Sequence, residues 1–292
     1  MRKPKGPVST APILRVESGI VTTLDDILVT EEPLEIRLGH GPEEDRKEVR
    51  LSVTMRTPGN DEELALGFLF TEGIISLPAE VLRVVPCENV KEEELGNVIR
   101  AELHPSLELD PAKWQRNFYT SSSCGVCGKT SIEAVRAQCP KPMAPFGTID
   151  PEVITALPER MREAQTVFKH TGGIHAAALF DRAGKLLILR EDVGRHNAVD
   201  KVIGALIGSW SSSDRGGMQE PIADRILVVS GRAGFELVQK CLMARIPLMA
   251  AVGAPSSLSV ELAEEGGLTL IGFLRGARFN VYTGVPQIGK ET

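Results

Sequence analysis

Among the 292 residues there is no run approaching the roughly 18 consecutive apolar positions that cross a bilayer, so a membrane-spanning protein is not expected. The start, Met1-Arg2-Lys3-Pro4-Lys5-Gly6-Pro7, is basic but lacks the apolar stretch of a secretory signal, and its prolines predict a loose tail. A cytoplasmic protein is expected. Cysteine is scarce, with five in the chain, and in a reducing compartment these form no disulfide framework. Basic excess is lacking too: 33 Lys and Arg against 39 Asp and Glu leave a net charge of −6, with the basic residues scattered. That is not the footprint of a general nucleic-acid binder, although local anion sites stay open. Two nucleotide signatures are missing, the Walker A pattern and the full G-x-G-x-x-G fingerprint.

What is present is the composition of a soluble globular chain, 42% hydrophobic and 25% charged. Short β-type runs at Ile13 to Val21, Leu34 to Leu38 and Val49 to Met55 precede a helical segment that opens on Asn60-Asp61-Glu62-Glu63 and ends near Gly73. Runs at Val81 to Val85 and Asn97 to Leu103 complete a β-rich α+β part over residues 1–110. Residues 111–150 lose regularity and read as a mobile loop that bears cysteines. From 151 to 292 strands and helices alternate. Helices are expected at Pro151 to Glu163, from Arg195, at Phe235 to Met243 and at Leu258 to Glu265. Strands are expected at Ala176 to Phe180, Leu186 to Arg190, Ile226 to Val229, Pro247 to Val252 and Leu268 to Leu274. That order predicts a layered α/β domain on a largely parallel sheet. Ser211 to Gly217 reads as a surface loop.

Cys124 and Cys127, in Ser121-Ser122-Ser123-Cys124-Gly125-Val126-Cys127-Gly128, are the one pair at C-x-x-C spacing. Zinc would need further ligands, yet Cys87, Cys139 and Cys241 are isolated and His170 and His175 are the one close histidine pair. A redox dithiol would open a helix directly after a strand, whereas serines precede this pair. A third reading is a sulfur carrier whose flanking glycines let a nucleophilic thiolate swing between donor and acceptor, with Lys129 and Arg116 as cationic neighbours. A pair of small buried thiols on a turn is the fourth.

Further on, small-residue turns follow strands. Glu191 to Lys201 brings Asp192, Arg195, His196 and Lys201 to a helix start, where Arg195 or Lys201 would meet phosphate. The plainer alternative makes Asp192 a cap, packs His196, and leaves Asp200 and Lys201 on a solvated face. Ser230-Gly231-Arg232-Ala233-Gly234, Gly253 to Ser257 and Phe273-Leu274-Arg275-Gly276-Ala277-Arg278 follow successive strands and would line the carboxyl-end crevice of a parallel sheet, favouring a phosphorylated ligand. His170 to His175 is a further candidate wall.

Together these stretches, with Phe70-Thr71-Glu72-Gly73-Ile74-Ile75, resemble the FdhD/NarQ family of formate dehydrogenase accessory sulfurtransferases over residues 15 to 285. The resemblance implies a cytidine-deaminase-like α/β domain joined to a smaller β-rich one, without the deaminase zinc site, and a homodimer. It implies a persulfide at Cys124, accepted from a cysteine desulfurase with Cys127 assisting. The sulfur then passes to the molybdenum of bis(molybdopterin guanine dinucleotide) for the formate dehydrogenase apoenzyme. Phe273 to Arg278 would contact that cofactor, with Asp192, Arg195, His196, Lys201, Ser230, Gly231, Arg232 and His175 completing the site. GDP would then serve as a fragment of the cofactor. If the Asp192 carboxylate reads the guanine edge, GDP binds at least about tenfold better than ADP. Gly234 and Gly253 stand where serine is expected from the resemblance. Two alternatives are a non-catalytic cofactor-binding chaperone and a dithiol oxidoreductase.

Overall fold

The computed structural model describes residues 6–107, 142–143, 146–209, 222, 224–284 and 288–289. The expected tail at Met1 to Lys5, the Cys124–Cys127 loop with Arg116, Lys129 and Cys139, and the Ser211 to Gly217 loop lie outside them.

The first elements are β1 (Val8–Glu17) and β2 (Ile20–Val29), which pair antiparallel with Glu17 opposite Ile20. The expected single run from Ile13 to Val21 is therefore a hairpin turn. Ser18 and Gly19 both take positive φ, 51° and 83°, the requirement of a two-residue turn whose twist matches its strands. Next come β3 (Glu32–His40), β4 (Lys47–Arg56), β5 (Val81–Pro86) and β6 (Val98–Leu103), forming a four-stranded sheet in the order β4-β3-β6-β5. Between β4 and β5 lies α1 (Asp61–Thr71), which has three carboxylates in its first turn and buries Leu64, Ala65, Leu69 and Phe70.

In the second half, α2 (Pro151–Ala164) starts where the Asp150 carboxylate accepts from the Glu152 N–H, with proline in its first turn. The short α3 (Thr166–Thr171) stops at Gly172, φ 66°. Strands β7 (His175–Phe180), β8 (Leu186–Asp192), β9 (Ile226–Val229), β10 (Leu248–Ala251), β11 (Thr269–Arg275) and β12 (Arg278–Thr283) form one sheet in the order β12-β11-β10-β9-β7-β8. Helices α4 (Arg195–Gly208), α5 (Phe235–Met243) and α6 (Ser257–Glu265) follow β8, β9 and β10. The α/β class holds, but the sheet is mixed rather than largely parallel. β9, β10 and β11 pair in parallel, whereas β7 is antiparallel to both neighbours and β12 to β11.

The central strands are buried on both faces, which is why they read as unbroken apolar runs. Leu227 and Val229 face one hydrophobic cluster, and Ile226 and Val228 face the other. The first cluster joins the two halves, running from Leu34 and Ile36 through Leu64 and Leu69 to Val202, Ile203 and Leu237. Its closest approach is between α1 and α4. A Cβ on Gly67 would lie 1.9 Å from the Asp200 carbonyl oxygen, and one on Gly204 would lie 1.9 Å from the Glu63 carbonyl oxygen. Only hydrogen fits at either point.

Candidate functional site

Strands β8, β9, β10 and β11 point the same way, so the turns after them gather at one edge of the sheet. There the turns are bonded to one another. Gly253 N–H donates to the Gly231 carbonyl at 2.9 Å, Ala233 N–H to Ala254 at 3.1 Å, and Phe273 N–H to Gly253 at 3.0 Å. Arg275 Nε donates to the Val252 carbonyl at 3.3 Å. The approach is close enough that a Cβ on Gly253 would meet the Gly231 oxygen at 2.8 Å and Arg232 Cα at 2.9 Å. Glycine, not the serine expected from the resemblance, suits this packing. Gly234 has open space around it and imposes no such demand.

The start of antiparallel β7 reaches the same edge. Ser230 Oγ accepts the Ala176 N–H at 2.9 Å, so this hydroxyl holds the wall rather than facing the mouth. A Cβ on Gly231 would lie 3.5 Å from His175 Nδ1 and 3.7 Å from Arg195 Cδ, which places those side chains against the turn. The crevice thus brings together His175, Arg195, Gly231, Arg232, Phe273 and Arg275. Gly276, Ala277 and Arg278 form the exposed turn beyond. Phe273 adopts φ 54°, a costly backbone conformation for a bulky residue, and its ring is 41% exposed at the rim.

Three expected ligands are placed elsewhere. Leu274 is fully buried in the core beneath the rim, because side chains alternate along β11. Asp192 is fully buried and all its lone-pair positions are used: it accepts from Thr57 N–H, Gly194 N–H, Asn197 Nδ2 and, at 2.7 Å, Lys201 Nζ. Lys201 also donates to the Thr57 carbonyl at 2.9 Å. This pair ties β8 and α4 to the end of β4. Asp192 has no capacity left to read a guanine edge, and Lys201, 1% exposed, is shut off from phosphate by its burial.

Beneath the mouth His196 Nε2 lies 3.3 Å from Glu236 Oε2. Burial, reinforced by Lys240 and Arg195, pushes the imidazole down to about 3, so it stands neutral beside the carboxylate. Burial and Arg195 also lower His175, against an opposing pull from Asp192. Deeper still, Lys240 Nζ contacts Thr71 Oγ1 at 3.0 Å, Glu72 Oε1 at 3.1 Å and Asp200 Oδ2 at 3.0 Å. The sequence analysis missed this cluster, and only its plainer alternative placed Asp200 at all, on a solvated face. The signal available was the Glu236 and Lys240 pair, four apart on a helix whose other residues, Gln239 excepted, are apolar.

These groups set a pH dependence. His196, lowered from 6.5 to about 3, stabilises the fold above pH 6.5 and loses that contribution as pH falls. Asp200, lifted by burial from 3.8 to about 6 against the pull of Lys240, has the opposite sign: its contribution is complete below 3.8 and lost as pH rises through 6. The two slopes cancel between about pH 4 and 6. Asp200→Asn should uncover the His196 slope, making stability fall by about 1 kcal/mol per pH unit on acidification in that window, read by urea unfolding at several pH values. An unchanged slope would mean that the two groups do not titrate as their surroundings dictate.

The crevice is basic in an acidic chain. Among the described residues no carboxylate pairs with Arg195, Arg232, Arg275 or Arg278, and α4, α5 and α6 begin at this same edge. Two grooves of 430 and 380 Å³ lie instead on the four-stranded sheet, around Arg46, Arg100 and Cys87. Their size is larger evidence than their chemistry: Arg46 is held by Glu102, and Arg37 and Arg100 by Glu48. For an anionic ligand the strand-end crevice is the better candidate. The described residues hold no cluster of three or more potential metal ligands and no helix long and apolar enough to cross a membrane.

Fold and site define a mixed α/β protein with a basic crevice at its strand ends. The chain belongs to the FdhD/NarQ family, whose profile matches residues 29–288. It is 48% identical over 280 residues to the sulfur carrier protein FdhD of Streptomyces avermitilis, covering 94% of each chain. To the sulfur carrier protein FdhD of Anaeromyxobacter dehalogenans it is 42% identical over 289 residues, 98% of this chain and 95% of the other. A crystal structure from Desulfotalea psychrophila, described as a formate dehydrogenase accessory protein, superposes with a TM-score of 0.70 at 23% identity, covering 97% of this chain and 99% of that one. At that identity the likeness concerns the fold.

Proposed function

We propose that this chain is a cytoplasmic sulfurtransferase that serves formate dehydrogenase. In this reading the Cys124 thiolate attacks the sulfane sulfur of a cysteine desulfurase persulfide. One S–S bond forms at Cys124 as the desulfurase S–S bond breaks and its cysteine leaves as thiolate. Cys127 then assists in holding or relaying that sulfur, and its acceptor is the molybdenum of bis(molybdopterin guanine dinucleotide). A homodimer and a cytidine-deaminase-like layering of the second half belong to the same proposal. Support comes from the relatives named sulfur carrier proteins, and above all from the crevice, whose guanidiniums and helix starts suit the phosphates of a dinucleotide.

Calorimetry with GDP as the cofactor fragment tests the crevice. Charge-assisted bonds to phosphate contribute about 1.5–3 kcal/mol each, so Arg232→Ala with Arg275→Ala should weaken GDP binding by roughly a hundredfold or more. With Asp192 fully engaged, the preference over ADP that its carboxylate would have imposed is not expected from that residue. GDP affinity unchanged in the double variant would place the acceptor site elsewhere.

A further inference from the structure

The Gly231 turn lies against two side chains from different elements. A Cβ there would stand 3.5 Å from His175 Nδ1, 3.6 Å from its Cε1 and 3.7 Å from Arg195 Cδ. The sheet sets this meeting: Ala177 pairs with Val229 and Ser230 N–H donates to the Ala176 carbonyl at 3.0 Å, which brings the next residue of the turn level with His175. Arg195 is the first residue of α4. Neither side chain is bonded among the described residues: the His175 ring makes no hydrogen bond, and the Arg195 guanidinium meets neither a carboxylate nor a carbonyl. Both are half-buried. An imidazole with both nitrogens unbonded, set beside an unpaired guanidinium, lacks the acceptor that would satisfy both groups.

The elements packed on β7 are β8, β9 and α4, and each brings identifiable charges to His175. On β8 its cross-strand partner is Asp192, whose carboxylate already holds Lys201 at 2.7 Å. On α4 stand Arg195 and His196, the latter neutral beside Glu236. β9 is apolar throughout, and the turn after it adds exposed Arg232. Burial and Arg195 outweigh Asp192, so at neutral pH the ring is uncharged. An anion against Arg195 would reverse that balance. It offsets the repulsion of the guanidinium and adds an attraction of its own, and an opposite charge within about 4–6 Å shifts a titration by about 1–3 pH units.

We propose that His175 takes up a proton as a phosphate group docks on Arg195, so that a second cation forms on that group only when the group is present. The proton is drawn from solvent onto a ring nitrogen, and no bond of the phosphate changes. A tetrahedral oxyanion then accepts from the imidazolium and from the Arg195 fork at once. Affinity for phosphate rises as pH falls, although the arginines stay charged throughout. That the phosphate belongs to a guanine dinucleotide rests on the preceding reading; the proton uptake does not.

Histidine proton resonances of the full chain, followed from pH 5 to 9 with and without sulfate at constant ionic strength, test it. Sulfate keeps its double charge over that range, so a change of titration belongs to the protein. The His175 signal, assigned by its loss in His175→Gln, should have its midpoint raised by at least about one pH unit at saturating sulfate. His196 should stay silent in both titrations. Arg195→Ala should raise the His175 midpoint without sulfate and abolish the further rise with it. Calorimetry in two buffers of different ionisation heat should show about half a proton taken up per sulfate near pH 7, with binding roughly fivefold or more tighter at pH 6 than at pH 8. His175→Gln keeps a donor that cannot charge, and should flatten that ratio to within about twofold. A midpoint unmoved by bound sulfate, a pH dependence that survives His175→Gln, or a chain that binds neither sulfate nor GDP overturns the proposal. Sulfate bound with proton uptake while GDP fails to bind would support it and remove the nucleotide reading instead. GDP held by Arg232 and Arg275 with His175 unmoved would do the reverse.

Discussion

Alanine at Cys124 is expected to abolish sulfur loading. Wild-type chain incubated with a cysteine desulfurase and cysteine should yield the tryptic peptide Asn117 to Lys129, which holds both Cys124 and Cys127, heavier by one sulfur, with fragmentation placing it on the first cysteine. In Cys124→Ala the rate of loading should fall on the order of a thousandfold or more, the scale of losing a nucleophile rather than a neighbour. Cys127→Ala should still load, with a shorter persulfide lifetime. The described cysteines give no competing site. The Cys241 thiol is fully buried and pushed up by that burial, and burial also raises Cys87, outweighing nearby Arg37 and Arg100. Both are held as thiols at neutral pH, where thiolate is the reacting form. Equal loading of Cys124→Ala at this peptide would refute the assignment, and stoichiometric zinc lost only when both cysteines are replaced would favour the cofactor-binding chaperone.

The largest stability effect is expected at Lys240. Its ammonium stands between Glu72 and Asp200 with all three side chains buried, and it is bonded to both. Lys240→Met keeps most of the volume and removes that charge. Breaking a buried pair costs about 3–5 kcal/mol because a buried charge loses its counter-charge, as Asp200 would here. Against the ~5–15 kcal/mol of a typical domain this approaches unfolding. The loss should be greatest above pH 6 and shrink in acid, because Asp200, already lifted to about 6 by burial, escapes by taking up a proton. Urea unfolding at pH 7.5 and 5.0 reads both effects. Changing Lys240→Met, Asp200→Asn and Glu72→Gln together should recover most of the loss, since the whole charged set is replaced. A single variant within 1 kcal/mol of wild type at pH 7.5 would show that the cluster contributes little.

Much of this was legible from local sequence. The turns Ser230 to Gly234 and Phe273 to Arg278 declared themselves because small residues and arginine follow short β-branched runs, and their convergence followed once the strands were taken as neighbours. The β1–β2 turn did not, because Ser18-Gly19 sits inside an apolar run that reads as one strand. β12 escaped notice since only Phe279, Val281 and Tyr282 mark it. The misjudged charges share one cause: Asp200 and Lys201 look like an ordinary polar helix face, and what buries them comes from far along the chain. Asp200 meets Thr71, 129 positions away, and Lys201 meets Thr57, 144 away. Periodicity reports a helix's own faces and says nothing of a distant segment laid across its polar one.

The glycine crossing of α1 and α4 has a temporal side. During synthesis α1 leaves the ribosome with Glu72 beside it, while its counterpart Lys240 lies 168 residues downstream. At about 5–20 residues per second that is a delay of roughly 8–34 s. For most of it the apolar face of α1 has no α4 to lie on, and throughout it Glu72 lacks the Lys240 ammonium. Slow codons or a stalled message between these segments would prolong that exposure, so the nascent first half is the stage at which holding chaperones matter most to this chain.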